Sequence, residues 1–134
     1  MPYLFDASAL LNATVAQGRQ ALEIVKGQFV LDLTAYEVGN AIWGLSVLQN
    51  KFSPELVDST IGVFVNLLEQ MKELGLRDTS LASVMSIAKD ERTTFYDSSY
   101  IAIAKDRTLT LVTDDRRLSK MASKYVNVKS STSL

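Results

Sequence analysis

Short runs of apolar residues alternate along the chain with longer stretches in which apolar residues recur every three or four positions. The short runs predict buried strands at 3–5, 29–31, 110–113 and 126–128, and a brief edge strand at 76–78. The stretches of helical spacing predict helices at 18–26, 34–49, 53–74, 80–89, 95–105 and 114–124, whereas the small, mixed residues of 7–16 indicate one helical turn.

The stretch 34–49 gives the strongest helix prediction. Thr34 can cap its start, and Glu37 stands three residues later, which is the capping-box pattern. Two apolar stripes run along this stretch. The second stripe, formed by Tyr36, Trp43 and Val47, indicates a helix that is covered on two sides.

The alternation of strands and helices predicts an α/β fold, a three-layer α/β/α sandwich built on a mostly parallel sheet. The sequence contains no internal repeat and no linker, so we expect residues 1–134 to form a single domain. Residues 129–134 are mostly small and polar, and we expect them to form a frayed tail.

The composition narrows the possible chemistry. The chain has no cysteine and no histidine, which excludes disulfides, a cysteine nucleophile, histidine-dependent triads and histidine-ligated metals. Its carboxylates suit hard cations such as Mg²⁺ and Mn²⁺. The N-terminal residues do not resemble a signal peptide, and no apolar run is long enough to span a membrane. We therefore expect a cytoplasmic protein without a membrane partner.

The net charge of −1 conceals an asymmetry along the chain. Residues 1–104 carry 7 basic and 12 acidic side chains, whereas residues 105–134 carry 7 basic and 3 acidic ones. This basic segment is either a solvated helix face or a contact for nucleic-acid phosphates. Its basic residues are Lys105, Arg107, Arg116, Arg117, Lys120, Lys124 and Lys129.

Several acidic residues fall where a parallel sheet would present its carboxyl edge. Asp6 ends the first predicted strand, and both Asp114 and Asp115 directly follow a later one. Glu37 and Asp97 lie in the predicted first turns of helices, whose N-termini point toward the same edge. Each of these acids has an ordinary structural explanation, either as a helix cap or as a charge that offsets a helix dipole.

Taken together, the acids predict a metal site. Clustered carboxylates repel one another unless a cation neutralises them. A divalent ion in such a site can lower the pKa of a bound water, polarise a phosphoryl oxygen and orient an in-line attack. Asp32 and Asp78 also follow predicted strands, and spacing alone does not exclude them from the site.

Four segments resemble the successive motifs of PIN domains. The first is Leu-Phe-Asp-Ala-Ser-Ala-Leu-Leu at 4–11, and the second is Tyr-Glu-Val-Gly-Asn-Ala at 36–41. The third is Tyr-Asp-Ser-Ser-Tyr-Ile-Ala-Ile-Ala at 96–104, and the fourth is Leu-Val-Thr-Asp-Asp-Arg-Arg-Leu at 111–118. The motifs occur in the family's order and span nearly the whole chain, so the sequence is similar to VapC-type members of this family.

The resemblance implies a five-stranded sheet in the order 3-2-1-4-5 and a metal-dependent endoribonuclease. It implies one or two Mg²⁺ or Mn²⁺ ions held by Asp6, Asp97 and Asp115, with Glu37 as a further ligand or as proton acceptor. Small members of the family are commonly toxins that form homodimers and are inhibited by a small antitoxin protein. The segments 34–50 and 53–74 are candidates for those interfaces, and ordinary packing in the core explains their apolar residues equally well.

The resemblance also suggests roles for residues around the four acids. Ser8 and Thr113 would hydrogen-bond the metal ligands, and Asn40 would line the site. In the basic segment, the residues expected to hold the RNA backbone are Arg116, Arg117 and Lys120.

The fourth motif departs from the family pattern at Asp114, where a small residue is usual. The Thr-x-Asp spacing assigns the metal-ligand role to Asp115 and a capping or supporting role to Asp114. The reverse assignment remains open at this point.

Three other classes of protein are alternatives to a ribonuclease. A receiver-type phosphotransfer domain requires a pair of acids after its first strand, and a dehalogenase-type phosphatase requires Asp-x-Asp there. This chain has Asp6 followed by Ala7 and Ser8, so both classes are disfavoured. The third alternative is a non-catalytic module that keeps a PIN-like shell and binds RNA or protein.

Overall fold

Five short strands form one parallel sheet in the computed structural model, which describes residues 2–134. The strands are β1 (Tyr3–Phe5), β2 (Phe29–Leu31), β3 (Lys72–Leu74), β4 (Thr110–Val112) and β5 (Val128–Lys129). Their order is β3-β2-β1-β4-β5, and every neighbouring pair is parallel. The expected sheet order is therefore confirmed.

Seven α-helices connect the strands of the described chain. They are α1 (Ala7–Gln17), α2 (Leu22–Val25), α3 (Asp32–Trp43), α4 (Pro54–Glu69), α5 (Leu81–Glu91), α6 (Phe95–Arg107) and α7 (Arg116–Ala122). A π-helical turn at Gly44–Leu48 extends α3, and 3₁₀ turns occupy Gly18–Ala21, Leu76–Asp78 and Ser131–Ser133. No helix within residues 2–134 is long and apolar enough to cross a membrane.

The core consists of two apolar clusters on opposite faces of the sheet, because successive strand residues point to opposite sides. Leu4 and Leu111 join one cluster with residues of α5, α6 and α7. Phe5 and Val112 join the other with residues of α1, α2, α3 and α4. The result is the predicted three-layer α/β/α arrangement.

The third strand was predicted in the wrong place. It lies at Lys72–Leu74, and the segment Leu76–Asp78 forms a 3₁₀ turn. This edge strand buries only Leu74 and exposes both charged residues, so its hydrophobic pattern is too weak to distinguish it from the end of a helix.

The prediction of a single turn at 7–16 was also wrong. The segment forms the three-turn helix α1, which begins where the Asp6 side chain accepts a hydrogen bond from the backbone N–H of Ala9. Its small residues, Ala9 and Ala13 among them, pack closely against the sheet and neighbouring helices, so the pattern lacks the large apolar stripe of a typical helix.

The start of α3 differs from the predicted capping box. The helix begins at Asp32, two residues earlier than expected, so Thr34 lies inside its first turn and Glu37 lies in the second. The hydroxyl of Thr34 accepts a hydrogen bond from the backbone N–H of Leu31 at 3.2 Å. The second predicted stripe is not covered in this chain, since Tyr36, for example, is 81% exposed.

The last residues of the chain, for which a frayed tail is expected, include a short helical turn. Residues Ser131–Ser133 form a 3₁₀ turn, here called the C-terminal turn. It follows β5 and is tied to Asp114, because both the backbone N–H and the hydroxyl of Ser131 donate to the Asp114 carboxylate.

Candidate active site

Asp6 occupies the carboxyl end of the central strand β1 and caps helix α1. Its Oδ1 accepts hydrogen bonds from the Ser8 hydroxyl at 2.8 Å and the Ala9 N–H at 2.9 Å. Its Oδ2 accepts a hydrogen bond from the Thr113 hydroxyl at 2.5 Å. Only 4% of Asp6 is exposed, so the fold encloses this carboxyl group among donors.

These hydrogen bonds do not compensate fully for the burial of Asp6. Its pKa is raised from 3.8 to about 6. Burial is the largest cause and the nearby charge of Asp115 adds to it, whereas the bonds from Ala9, Thr113 and Ser8 act in the opposite direction. The site therefore opposes ionisation of its central acid.

The residues that follow β4 lie beside Asp6, because β1 and β4 are neighbours in the sheet. Thr113 links the two strand ends: its hydroxyl donates to Asp6 and accepts from the backbone N–H of Asp115 at 3.1 Å. Asp115 caps α7, with Oδ1 accepting from the N–H of Leu118 at 3.0 Å, and it remains exposed. Asp6 and Asp115 thus occupy adjacent positions at one sheet edge.

The side chain of Asp114 contacts different residues from that of Asp115. Its carboxylate accepts hydrogen bonds from Asn12 Nδ2 at 2.8 Å, Ser131 N at 2.7 Å and Ser131 Oγ at 2.6 Å. Partial burial opposes ionisation of Asp114, but these hydrogen bonds outweigh it and lower its pKa. Its backbone N–H donates to the hydroxyl of Ser8 at 3.0 Å. Asp114 therefore fastens the C-terminal turn to α1.

Asp97 and Glu37 complete the group of acids. Asp97 lies in the first turn of α6, where its N–H donates to the Thr94 hydroxyl at 3.1 Å. Burial raises the pKa of Asp97, the charge of Asp115 raises it further, and Arg117 lowers it. Burial likewise raises the pKa of Glu37, and the charge of Asp97 adds to this effect.

The acids therefore form a chain of interacting charges, from Asp6 to Asp115, to Asp97 and to Glu37. The two other acids that follow predicted strands make different contacts. Asp32 lies at the start of α3 and accepts from the N–H of Leu33 at 2.8 Å, and Asp78 forms an ion pair with Arg107 at 2.8 Å.

The four acids supply the oxygen donors that Mg²⁺ and Mn²⁺ prefer, and their mutual repulsion matches the presence of a cation. Within residues 2–134, however, no three acidic side chains stand close enough together to hold one ion in their present positions. The donor chemistry and the location fit a divalent cation, and binding by three ligands would require side-chain rotation.

The three basic residues that were expected to hold the RNA backbone lie in two different environments. Arg116 and Lys120 line a cavity of about 400 Å³ together with Asp115 and Ser130. Arg117 instead lies near enough to Asp97 to lower its pKa. Asn40 is exposed on α3, one turn after Glu37.

Two residues at the site were not predicted to take part. The Tyr100 hydroxyl donates to Glu37 Oε1 at 2.7 Å and is also 2.7 Å from the Thr34 hydroxyl. Sequence reasoning placed Thr34 as a helix cap and gave Tyr100 no role. The available signal was spacing, since Tyr100 follows Asp97 by three residues and shares its helix face.

A parallel sheet in the order 3-2-1-4-5 with acidic side chains at its carboxyl edge defines a PIN-like domain. A crystal structure of PAE2754 from Pyrobaculum aerophilum has a similar fold, with a TM-score of 0.78 and 29% sequence identity. The matched region covers 99% of this chain and 85% of the PAE2754 chain. The exonuclease VapC9 of Pyrobaculum aerophilum is 36% identical over 118 residues, which is 87% of this chain and 82% of that protein. No family model matches the sequence. On the strength of the VapC9 similarity, the chain belongs to the VapC family.

Proposed function

We propose that this protein is a nuclease, specifically a Mg²⁺- or Mn²⁺-dependent endoribonuclease that acts as the toxin of a VapBC-type toxin–antitoxin pair. The observation that carries the proposal is the group of interacting acids at the sheet edge. The pKa of Asp6, Glu37 and Asp97 is raised in each case by burial first and by a neighbouring acid as well. A site that opposes ionisation of several clustered acids is well suited to a divalent cation.

In this proposal Asp6, Asp97 and Asp115 hold one or two ions, and Glu37 is a further ligand or the proton acceptor. When bound, the ion would supply positive charge against the phosphodiester oxygens and activate water. Glu37 would take a proton from the attacking water. The hydroxyls of Ser8 and Thr113 would keep the Asp6 carboxyl group oriented, as their hydrogen bonds to it indicate.

RNA would approach along the basic start of α7. Arg116 and Lys120 border the cavity beside Asp115, and phosphates bound there would lie next to the acids. Arg117 would balance the charge of Asp97 and contact the backbone from the other side. Exposed Asn40 would line the same approach on α3.

We further propose a homodimer and a small antitoxin partner, acting in the cytoplasm. The support is the apolar surface along α3 and its π-helical extension, where Tyr36, Trp43, Val47 and Leu48 are each more than half exposed. A second copy would cover this surface. The exposed Leu56, Ile61 and Val65 of α4 would contact the antitoxin.

The relative's name describes an exonuclease, whereas the proposal for this chain is internal cleavage. A circular single-stranded RNA separates the two activities, because it has no ends. An endoribonuclease linearises the circle, and an exonuclease leaves it intact while degrading the linear form.

The first experiment is to incubate the purified, antitoxin-free protein with linear and circular RNA in Mn²⁺ or Mg²⁺, with EDTA as control. The test variant is Asp6→Asn, and the matched control is Asp58→Asn on the exposed surface of α4. Metal-dependent cutting that is lost only in Asp6→Asn would support the proposal. Folded wild-type protein that cuts neither RNA would reject it in favour of a non-catalytic binding module.

A further inference from the structure

The side chain of Glu37 is the end of a buried hydrogen-bond relay. The other two members of this relay are almost fully buried: Tyr100 is 1% exposed and Thr34 is 0% exposed. The Tyr100 oxygen lies 2.7 Å from Glu37 Oε1 and 2.7 Å from the Thr34 hydroxyl oxygen, and Thr34 accepts a bond from the backbone N–H of Leu31.

Counting protons fixes the direction of every bond in this relay. A phenol has one proton, and Tyr100 donates it to Glu37. The bond between Thr34 and Tyr100 must therefore be donated by Thr34, which in turn accepts from Leu31. Each buried hydroxyl thus donates once and accepts once, so no polar atom in the relay is left unsatisfied.

The relay also joins two helices of the site. Thr34 and Glu37 lie one turn apart on α3, and Tyr100 lies one turn after Asp97 on α6. These helices belong to opposite layers of the sandwich, since Val38 of α3 and Ile101 of α6 pack in different apolar clusters. The hydroxyl of Tyr100 therefore connects the elements that carry two of the acids.

We infer that Tyr100 and Thr34 are positioning residues that hold the Glu37 carboxylate in one orientation toward the other acids. The inference rests on the proposed function of the site. Glu37 is half-buried and at the end of a flexible side chain, so without the Tyr100 hydroxyl its carboxylate would rotate among several rotamers. Tyr100 and Thr34 act through Glu37 and do not contact the substrate.

The decisive variant is Tyr100→Phe, which keeps the buried ring and removes only the hydroxyl. We expect kcat for RNA to fall roughly ten- to a hundredfold, as is typical when the partner that orients a reactive carboxylate is lost, with KM changed by less than about twofold. Thr34→Val should lower kcat in the same direction, and Thr34→Ser, which restores a hydroxyl, should recover it. Combining Tyr100→Phe with Thr34→Val should add little further loss, because one relay is broken in both cases.

The chain provides a matched control in Tyr125, whose hydroxyl donates to Glu91 Oε2 at 2.7 Å. Tyr125→Phe removes the same kind of Tyr–Glu bond away from the acids, and kcat should stay at the wild-type value. Equal losses in Tyr100→Phe and Tyr125→Phe, or an unchanged kcat in Tyr100→Phe, would overturn the inference.

A second readout does not depend on activity. In metal-free protein, NMR three-bond couplings between Hα and Hβ of Glu37 should indicate one rotamer in wild type and in Tyr125→Phe, and rotamer averaging in Tyr100→Phe. Averaged couplings already in wild type would overturn the inference. If wild type cuts no RNA while the couplings behave as expected, the proposed function fails and the positioning of Glu37 by the relay stands.

Discussion

Replacing Asp6 with asparagine should make the metal-free protein more stable at neutral pH while it removes the proposed activity. Asp6 is almost fully buried, and its pKa is raised to about 6, first by burial and then by the charge of Asp115. The folded state therefore holds this carboxylate ionised at a cost. Asparagine has nearly the same shape and carries no charge.

The size of the effect follows from the pKa. A difference of one pKa unit corresponds to about 1.4 kcal/mol, so the rise from 3.8 to about 6 destabilises the folded state by roughly 3 kcal/mol once Asp6 is ionised in both states. Asparagine can still cap α1, but its amide must donate to Thr113, and we subtract about 1 kcal/mol for the altered bond. The expected gain is roughly 2 kcal/mol, or about 5–10 °C in Tm.

The gain should depend on pH in a defined direction. Because the folded-state pKa lies above the unfolded one, neutral Asp6 contributes stability at low pH, and this contribution is lost as the pH rises through about 6. The charge penalty should be roughly 3 kcal/mol at about pH 8 and roughly 1 kcal/mol at about pH 4.5. Wild type and Asp6→Asn would be compared by urea unfolding in EDTA at both pH values.

Asp114→Asn is the matched control, because the same substitution there should have the opposite sign. Hydrogen bonds from Ser131 and Asn12 lower the pKa of Asp114 against its partial burial, so its charge is favoured in the folded state. The reasoning would be refuted if Asp6→Asn were less stable than wild type at about pH 8, or if its advantage did not shrink in acid.

Three further predictions concern separate parts of the surface. The double variant Arg116→Ala/Arg117→Ala should weaken RNA binding, measured by fluorescence anisotropy, and reduce the slope of log affinity against log salt concentration by roughly 2. An unchanged slope would show that these residues do not contact the RNA phosphates. Asp114→Ala should release the C-terminal turn, seen as faster amide exchange there, and unchanged exchange would show that the turn is held by other contacts. Tyr36→Ser/Trp43→Ser should convert the proposed homodimer to monomer in light scattering, and a persistent dimer would place the interface elsewhere.

The central strands could be predicted because their residues carry a strong signal. Leu4 and Phe5 are fully buried on opposite faces of the sheet, as are Leu111 and Val112, so both segments are uninterrupted apolar runs. Asp6 and Asp115 follow these strands within three residues, and their places at the carboxyl edge were therefore predictable. The edge strand at Lys72–Leu74 has no such signal.

Other parts of the site depend on contacts that no local pattern encodes. The meeting of Tyr100 with Glu37 requires helices from opposite layers to approach each other around the sheet edge. The contact of Asp114 with Ser131 depends on the position of residues near the end of the chain, whereas Asp115 makes a local contact with Leu118. The Thr-x-Asp spacing suggested different roles for these two adjacent acids, but it did not reveal the distant partner that Asp114 contacts.

The capping contacts of Asp6 and Asp115 affect how this sequence can change over time. Besides belonging to the group of acids, Asp6 caps the N-terminus of α1 and Asp115 caps the N-terminus of α7. A change to alanine would remove a helix cap together with the acid, at about 0.5–2 kcal/mol. Asparagine or serine would keep the cap and remove only the charge. We therefore expect a related sequence that has lost the proposed activity to carry asparagine or serine at these two positions. Such a sequence would keep the fold without the activity.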